Sequence, residues 1–598
     1  MYPANFNNVY VQPQQPQQPY QAYANQNVNT SYVSSPVKTN QQVMPAGYAP
    51  LDSKTSQIYS QLSRKLLQMH VNQAQGVKLT PATAPVKWTN NLRDMFRENK
   101  AIIYAMIPRT FNAKDTDGNG LIEGNEQRGT FINAVEKLDY LKNLGINTLH
   151  VLPPNPTGKM KAMGTAGSLY SADDLIEIDP NLKDPRVPGT AKDHFKIFVN
   201  ECHKRGIAVM IDLPSCASLD LYKKRPDLMA IDSKGYPKVP QGWEDIRMFE
   251  PWADKDKRIL NKALLDYHKQ YVDMCIDVGI DGIRADVGRA KPIEFWDQLI
   301  PYARNKNPQF AFLAECYTYE DASPMLNMPA DRPEECLKAG FDSYYGQYHI
   351  FHEWGTSKDF HDNMILNLEM SQRHERGKSL IGSFATHDDK SPMANGGAPY
   401  CDMTTGLQMT LPMTNPYFVT GFESGDRYIY PYKDKISPTT QTDCHRYIVH
   451  SEKIDIFNPS RAPGGQNPEI GQYMYEMAKV RQQYEDVITK GSYIPLKVKE
   501  GTGENTRIIA YARHLNGKTL LAIANKEVNF NEQGTVVVPG LKSGQMLKDL
   551  SPGYGERSKI IAVENGVRVD LGPAKFHLFE IDTPSIEYQA EKVYRQNI

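Results

Sequence analysis

The chain has 598 residues, 40% hydrophobic and 23% charged, and its 68 Lys and Arg against 69 Asp and Glu leave a net charge of −1. That length exceeds one compact core, so two or three domains are expected. The even charge balance argues against nucleic acid or an anionic membrane surface as partner. The longest apolar run, Ala101 to Pro108, is far too short to span a bilayer. No charged start followed by an apolar core marks a signal peptide. The seven cysteines are odd in number and form no Cys-x-x-Cys pair. They predict free thiols in a reducing, cytoplasmic setting, with neither a disulfide framework nor a zinc site.

Residues 1–50 are rich in Gln, Asn, Pro and Tyr, with Lys38 as the one charged residue. Such a segment buries too little apolar surface to fold, so a disordered tail is expected. Residues 51–95 read as a helical extension, with Ile58, Leu62, Leu66 and Met69 on one face of a helix over 53–72. From Ala101 a strand–helix unit recurs. Apolar strands are expected at 101–107, 147–152, 207–213, 279–288, 310–315, 341–345, 379–386 and 409–419. Most are separated by runs of helical period: one helix with Phe131, Val135, Leu138 and Leu141, one closing at Gly206, and one closing at Gly279. Eight such units over 96–488 predict an α/β fold, a (β/α)₈ barrel with a short inserted domain at about 217–257. A doubly wound open sheet is the alternative, but Pro108-Arg109-Thr110-Phe111 stands where its Gly-rich turn belongs. Short alternating runs over 489–585 predict a C-terminal antiparallel β-sandwich, with 586–598 as a tail.

The chemistry gathers where barrel strands end. Gly279-Ile-Asp-Gly-Ile-Arg-Ala-Asp-Val-Gly288 is an apolar strand whose period of two puts Arg284 and Asp286 on one face. A carboxylate beside a guanidinium is kept ionised, as a carboxylate nucleophile needs to be. The third strand ends at Asp212, the fifth at Glu315, and the seventh at His387 and Asp388. Paired carboxylates on one concave rim, one ionised and one protonated, are what glycosidic cleavage requires.

These segments resemble the ordered motifs of the α-amylase family of glycoside hydrolases and transglycosidases. Gly282-Ile-Arg-Ala-Asp286 is similar to its nucleophile strand, Phe312-Leu-Ala-Glu315 to its acid/base strand, and Phe384-Ala-Thr-His-Asp388 to its His-Asp motif. The resemblance implies Asp286 as nucleophile, Glu315 as general acid/base and Asp388 as transition-state stabiliser. It implies that Arg284 orients Asp286, that His387 bonds a sugar hydroxyl, and that Tyr170 lies under the sugar being cleaved. A retaining double displacement follows, with Asp286 and Glu315 carboxyls ~5–5.5 Å apart. The third-strand motif departs from the family: Asp212-Leu-Pro-Ser-Cys-Ala217 carries Cys216-Ala217 where Asn-His is the rule. The run Asp286-Val-Gly-Arg-Ala-Lys-Pro292 looks most like the maltosyltransferase branch, in which Lys291 or Arg289 would meet a donor phosphate.

Asp115-Thr-Asp-Gly-Asn-Gly-Leu-Ile-Glu-Gly-Asn-Glu126 fits a twelve-residue Ca²⁺ loop, with Asp115, Asp117, Asn119, Gly120 and Glu126 in place. In the register the family resemblance implies, the ligands are Asp115, Asp117, Asn119, the Leu121 carbonyl and Glu123. Whether Glu123 or Glu126 completes the set stays open. The expected function is a retaining glycoside hydrolase on α-glucosidic bonds of malto-oligosaccharides or glycogen-like α-glucan, with probable structural Ca²⁺. The alternatives are an α-glucan transglycosylase using maltose 1-phosphate, and an inactive carbohydrate-binding scaffold.

Overall fold

Eight short apolar runs lie side by side, all parallel, and close into a barrel in sequence order. They are β1 (Ile103–Met106), β2 (Thr148–Val151), β3 (Ala208–Leu213), β4 (Gly282–Ala285), β5 (Ala311–Ala314), β6 (Ser343–Tyr344), β7 (Ser379–Ser383) and β8 (Thr414–Val419). The computed structural model describes residues 88–114, 116, 122, 124–162, 166–240, 243–317, 332–374, 378–425, 467–552 and 559–596. The expected tail and the helix over 53–72 lie outside these residues.

Alternation along each strand divides the core in two. Ile103, Ala105, Ala208, Met210, Ala311, Leu313, Ile381 and Tyr417 fill the barrel interior. Tyr104, Leu149, Val209, Ile211, Ile283, Phe312 and Leu380 point out to the surrounding helices. A helix over Leu92–Arg97 drives Leu92 and Phe96 into the inner cluster at the N-terminal mouth. Trp88 Nε1 and Asn90 Nδ2 anchor that plug, donating to Asp281 at the start of β4. The floor of the barrel is therefore sealed, and only the strand C-terminal ends are left to host chemistry.

The outer helices begin and end on local signals. Thr190 and Asp193 exchange capping bonds ahead of Ala191–Lys204. Lys262–Val278 stops at Gly279, whose φ of 93° is left-handed and open to glycine without strain. Two expectations need correction. The helix read through Phe131 to Leu141 is two, Phe131–Val135 and Leu138–Asn143, broken at Glu136 and Lys137. Met409 belongs to the helix Pro392–Thr410, and β8 begins only at Thr414, because the apolar run there continues a helix face into a strand.

The insertion after β3 holds a two-stranded antiparallel sheet, Cys216–Ser218 with Ile246–Met248. Beyond residue 490 two five-stranded antiparallel sheets face each other across a core that includes Ile494, Ile508, Leu521, Val536, Val567 and Phe579. The sequence showed five of those ten strands; the rest are short or lie at edges. Gly406 admits the Phe576 ring, for a Cβ there would stand 2.3 Å from it, and so the sandwich seats directly on a barrel helix. Arg513, fully buried, donates to the Thr410, Gly491 and Ser492 carbonyls and ties the two layers. Among the described residues no helix is long and apolar enough to cross a membrane.

Candidate active site

At the open end of the barrel the inner face turns from apolar to polar. Each strand's period of two, continued one step past the hydrophobic plug, brings His150, Asp212, Arg284, Glu315, Tyr345 and Tyr417 to that mouth. Arg284 is the hub, at 1% exposed. Its Nη1 donates to Asp212 at 2.8 Å and to Asp286 Oδ1 at 3.0 Å, and its Nη2 lies 3.0 Å from Glu315 Oε2. The guanidinium also stacks 5.5 Å over the Tyr345 ring. Burial alone would lower the Arg284 pKa, but Asp212 first, then Glu315, Tyr170 and Tyr345, outweigh it and raise it well above its usual value.

The surroundings separate those carboxyls. Burial pushes Asp212 up, but the Arg284 charge and the His150 hydrogen bond outweigh it and hold it at about 2. Burial, with the charges of Asp286 and Asp388, pushes Glu315 well above its usual range against the pull of Arg284. That shift favours the protonated form of the Glu315 carboxyl. Its Oε2 also accepts from the Val287 amide at 2.6 Å. Asp286 is gripped at both oxygens: Oδ1 by Arg284, and Oδ2 by the Ser215 amide at 2.9 Å and the Ser215 hydroxyl at 2.6 Å.

Tyr170 OH donates to Asp212 Oδ2 at 2.9 Å and meets His387 Nε2 at 2.6 Å. The two rings lie nearly parallel, 5.9 Å apart, forming one flat wall. Burial and Arg284 lower the His387 pKa well below 6.5, so the ring is neutral. Asp388 Oδ2 stands 3.5 Å from His387 Nε2. Burial first, then Asp389 and Asp286, raise the Asp388 pKa, though solvent reaches a third of its side chain and tempers the push.

Asp212, Arg284, Asp286, Glu315, His387, Asp388 and Tyr170 thus share one rim. His150, Ser215, Tyr345 and Tyr417 were not singled out from sequence. The signal for His150 was present, since it is the polar residue on the inner face of β2; Ser215 offered none. His150 bridges Tyr417 OH and Asp212, at 2.8 and 3.2 Å. Lys291 is not a solvated charge: it is 4% exposed, with Nζ above the Phe249 and Trp296 rings, and burial lowers it to about 8. Of the expected Ca²⁺ ligands, Asp115, Asp117, Asn119, Leu121 and Glu123 lie outside the described residues. Glu126 is described, and its Oε1 accepts from the Thr116 amide at 2.5 Å and hydroxyl at 2.7 Å.

Residues 105–216 match the alpha-amylase family as its catalytic domain. The chain is 24% identical over 337 residues to the alpha-1,4-glucan:maltose-1-phosphate maltosyltransferase of Rhodospirillum rubrum, covering 53% of this chain and 45% of that protein. It therefore spans about half of that relative's length. It is 24% identical over 456 residues to the maltogenic alpha-amylase of Bacillus acidopullulyticus, covering 71% and 69%. In three dimensions it is similar to the maltogenic alpha-amylase AmyB from Thermotoga neapolitana, with a TM-score of 0.59 at 20% identity over 82% of this chain and all of that one. At that identity the likeness speaks for the fold. Residues 105–216 thus carry the alpha-amylase catalytic-domain match, and the closed barrel around them has the fold of the similar solved alpha-amylase.

Proposed function

We propose that this enzyme cleaves α-glucosidic bonds of malto-oligosaccharides or a glycogen-like α-glucan with retention of configuration. The observation that carries the reading is one guanidinium holding two carboxyls through adjacent nitrogens, Asp286 and Glu315, with Glu315 pushed up toward its protonated form. Two carboxyls held at the two ends of one guanidinium fit the ~5–5.5 Å pairing of a retaining site. Asp286 attacks the anomeric carbon while Glu315 gives its proton to the departing glycosidic oxygen. Water then gives its proton to Glu315, its oxygen bonds the anomeric carbon, and the bond to Asp286 breaks with its electron pair returning to the carboxylate. Asp388 and His387 would hold sugar hydroxyls, and Tyr170 would present its ring to the sugar.

A second reading, transfer of a maltosyl unit from maltose 1-phosphate, draws support from Lys291. This buried cation is close enough to Asp286 to feel its charge, and the rings of Phe249 and Trp296 line it. An inactive scaffold fits poorly with acid and nucleophile both intact. The loop over 115–126 is proposed to hold Ca²⁺ as a structural ion. Glu126 commits one carboxylate oxygen to Thr116, which favours Glu123 as the last ligand over a bidentate Glu126. The six described cysteines are buried with no disulfide among them, which supports a cytoplasmic setting.

Product analysis by mass spectrometry with malto-oligosaccharides, with and without maltose 1-phosphate, tests the proposal. Shorter sugars of retained anomeric configuration establish the hydrolase. Longer chains that depend on the phosphate donor establish the transferase. Unchanged sugars together with glucan binding would sink both.

A further inference from the structure

The third-strand motif lacks its Asn-His, yet the same turn supplies the strongest grip on the nucleophile. Ser215 follows Pro214 where β3 ends, and the next residue, Cys216, enters the small inserted sheet. The Asp286 amide donates to the Leu213 carbonyl at 3.0 Å, so the turn and the nucleophile are stitched to each other by backbone as well. Ser215 is 5% exposed. Both of its donors converge on Asp286 Oδ2, while Oδ1 faces inward onto the buried Arg284. Oδ2 is thus the oxygen held by the turn after β3, and Oδ1 the one held by Arg284.

We propose that Ser215 is a positioning residue that divides the two half-reactions between themselves by holding the nucleophile's Oδ2; this rests on the retaining reading above. In the first half, Oδ2 forms its bond to the anomeric carbon and must release the hydroxyl hydrogen bond, so Ser215 restrains attack. In the second half, water or a sugar hydroxyl gives its proton to Glu315 and bonds the anomeric carbon. The anomeric C–Oδ2 bond breaks with its electron pair returning to Oδ2. Charge develops there, where the Ser215 amide and hydroxyl already point, in the manner of a preorganised oxyanion site. Ser215 therefore speeds departure of the sugar from the enzyme. Nothing else among the described residues donates to Oδ2.

The test uses the full chain with α-maltosyl fluoride, following fluoride release by rapid quench and the intact protein by mass spectrometry. In Ser215→Ala, the amide remains and the hydroxyl is lost. Steady-state turnover should fall about 10- to 100-fold, below the loss seen when an oxyanion site is emptied. The first turnover should persist as a burst, and the protein should carry a maltosyl adduct in the steady state. Ser215→Cys, nearly the same size but a poor donor, should also accumulate adduct, and Ser215→Thr should restore turnover. A Ser215→Ala protein that turns over like the wild type overturns the inference. So does one that is slow with no burst and no adduct, which would make Ser215 merely structural. If Ser215→Ala fails to fold, Ser215→Cys decides alone by the same criterion. Wild-type protein releasing no fluoride would instead bring down the retaining reading itself.

Discussion

The Val287 amide reaches Glu315 Oε2 at 2.6 Å from a backbone held at φ 39° and ψ 70°. A β-branched residue seldom adopts that left-handed conformation, and holding it there costs on the order of 1–3 kcal/mol. The strain has a visible return, because it turns an N–H from the end of the nucleophile strand onto the acid at the end of the next. Gly288 then donates to the Glu315 carbonyl at 3.0 Å and locks the turn. Val287→Gly should relieve the strain and also loosen the turn. We predict a urea midpoint equal to or above wild type, by up to about 1 kcal/mol, with kcat lowered about tenfold. A drop in both stability and activity would show that the Val287 side chain matters more than its backbone.

In the proposed retaining reaction, Glu315 would set the basic limb of the pH profile. Its carboxyl is raised well above its ordinary 4.5, by burial first and by Asp286 and Asp388 next. A group so raised keeps its proton through neutral pH and loses it only as pH rises through the raised value. Activity needing a proton donor should therefore hold from acid to neutral pH and fall on the alkaline side. Glu315→Gln should abolish turnover of malto-oligosaccharides, cutting it by at least about 10²-fold. It should still release a first equivalent of fluoride from α-maltosyl fluoride, whose leaving group needs no proton, and that first-turnover rate should lack the basic limb. An unchanged alkaline limb in the variant would assign it to another group.

Much of this site was legible from sequence because a barrel converts strand order into spatial order. Asp212, Asp286, Glu315 and Asp388 are far apart in the chain, yet each follows an apolar strand, and closure of the sheet sends all four strand ends to one rim. Period-two alternation was enough to place Arg284 and Asp286 on one face. The contacts that cross between elements were not legible. Ser215 meets Asp286 because the turn after β3 folds over the end of β4, and no local pattern encodes that approach. The same holds for the Tyr170 and His387 wall, which joins a long loop after β2 to the end of β7. The burial of Lys291 was not legible, because sequence shows its ammonium but not the Phe249 ring that the insertion lays over it. In the sandwich the missed strands, such as Lys548–Asp549, are too short to show alternation.

Arg284 should matter to folding as much as to chemistry. Among the described residues its guanidinium is the one Lys or Arg group paired with Asp212, which is fully buried. Removing a partner from a buried pair leaves an uncompensated charge and costs about 3–5 kcal/mol. Arg284→Gln should lower the urea unfolding free energy by that amount at neutral pH. Asp212→Asn in the same background should recover part of the loss, since the stranded charge goes with it. Equal stability of the single and double variants would mean that water, not Arg284, satisfies Asp212. Activity should stay low in both, because the alignment of Asp286 with Glu315 is gone.

The seam between barrel and sandwich carries its own pH dependence. His361, on the helix Ser357–Gln372, meets Tyr493 OH at 2.6 Å from the first strand of the sandwich. Burial lowers its pKa from 6.5 to about 4, against a small opposing pull from Asp362. The folded ring thus stays neutral where the unfolded chain is already taking up a proton. Between those two values the unfolded state binds more protons, so stability rises with pH there. The contribution is fully present above pH 6.5 and is lost progressively as pH falls toward about 4, amounting to at most about 3 kcal/mol. Urea unfolding at pH 4.5 and pH 7.5, for wild type and His361→Gln, isolates this contribution from that of the other buried histidines. The variant should lose less stability than the wild type on acidification, by about 1–3 kcal/mol. A variant as acid-sensitive as the wild type would place the acid-labile histidine elsewhere, among His150, His268 and His387, and not at the seam.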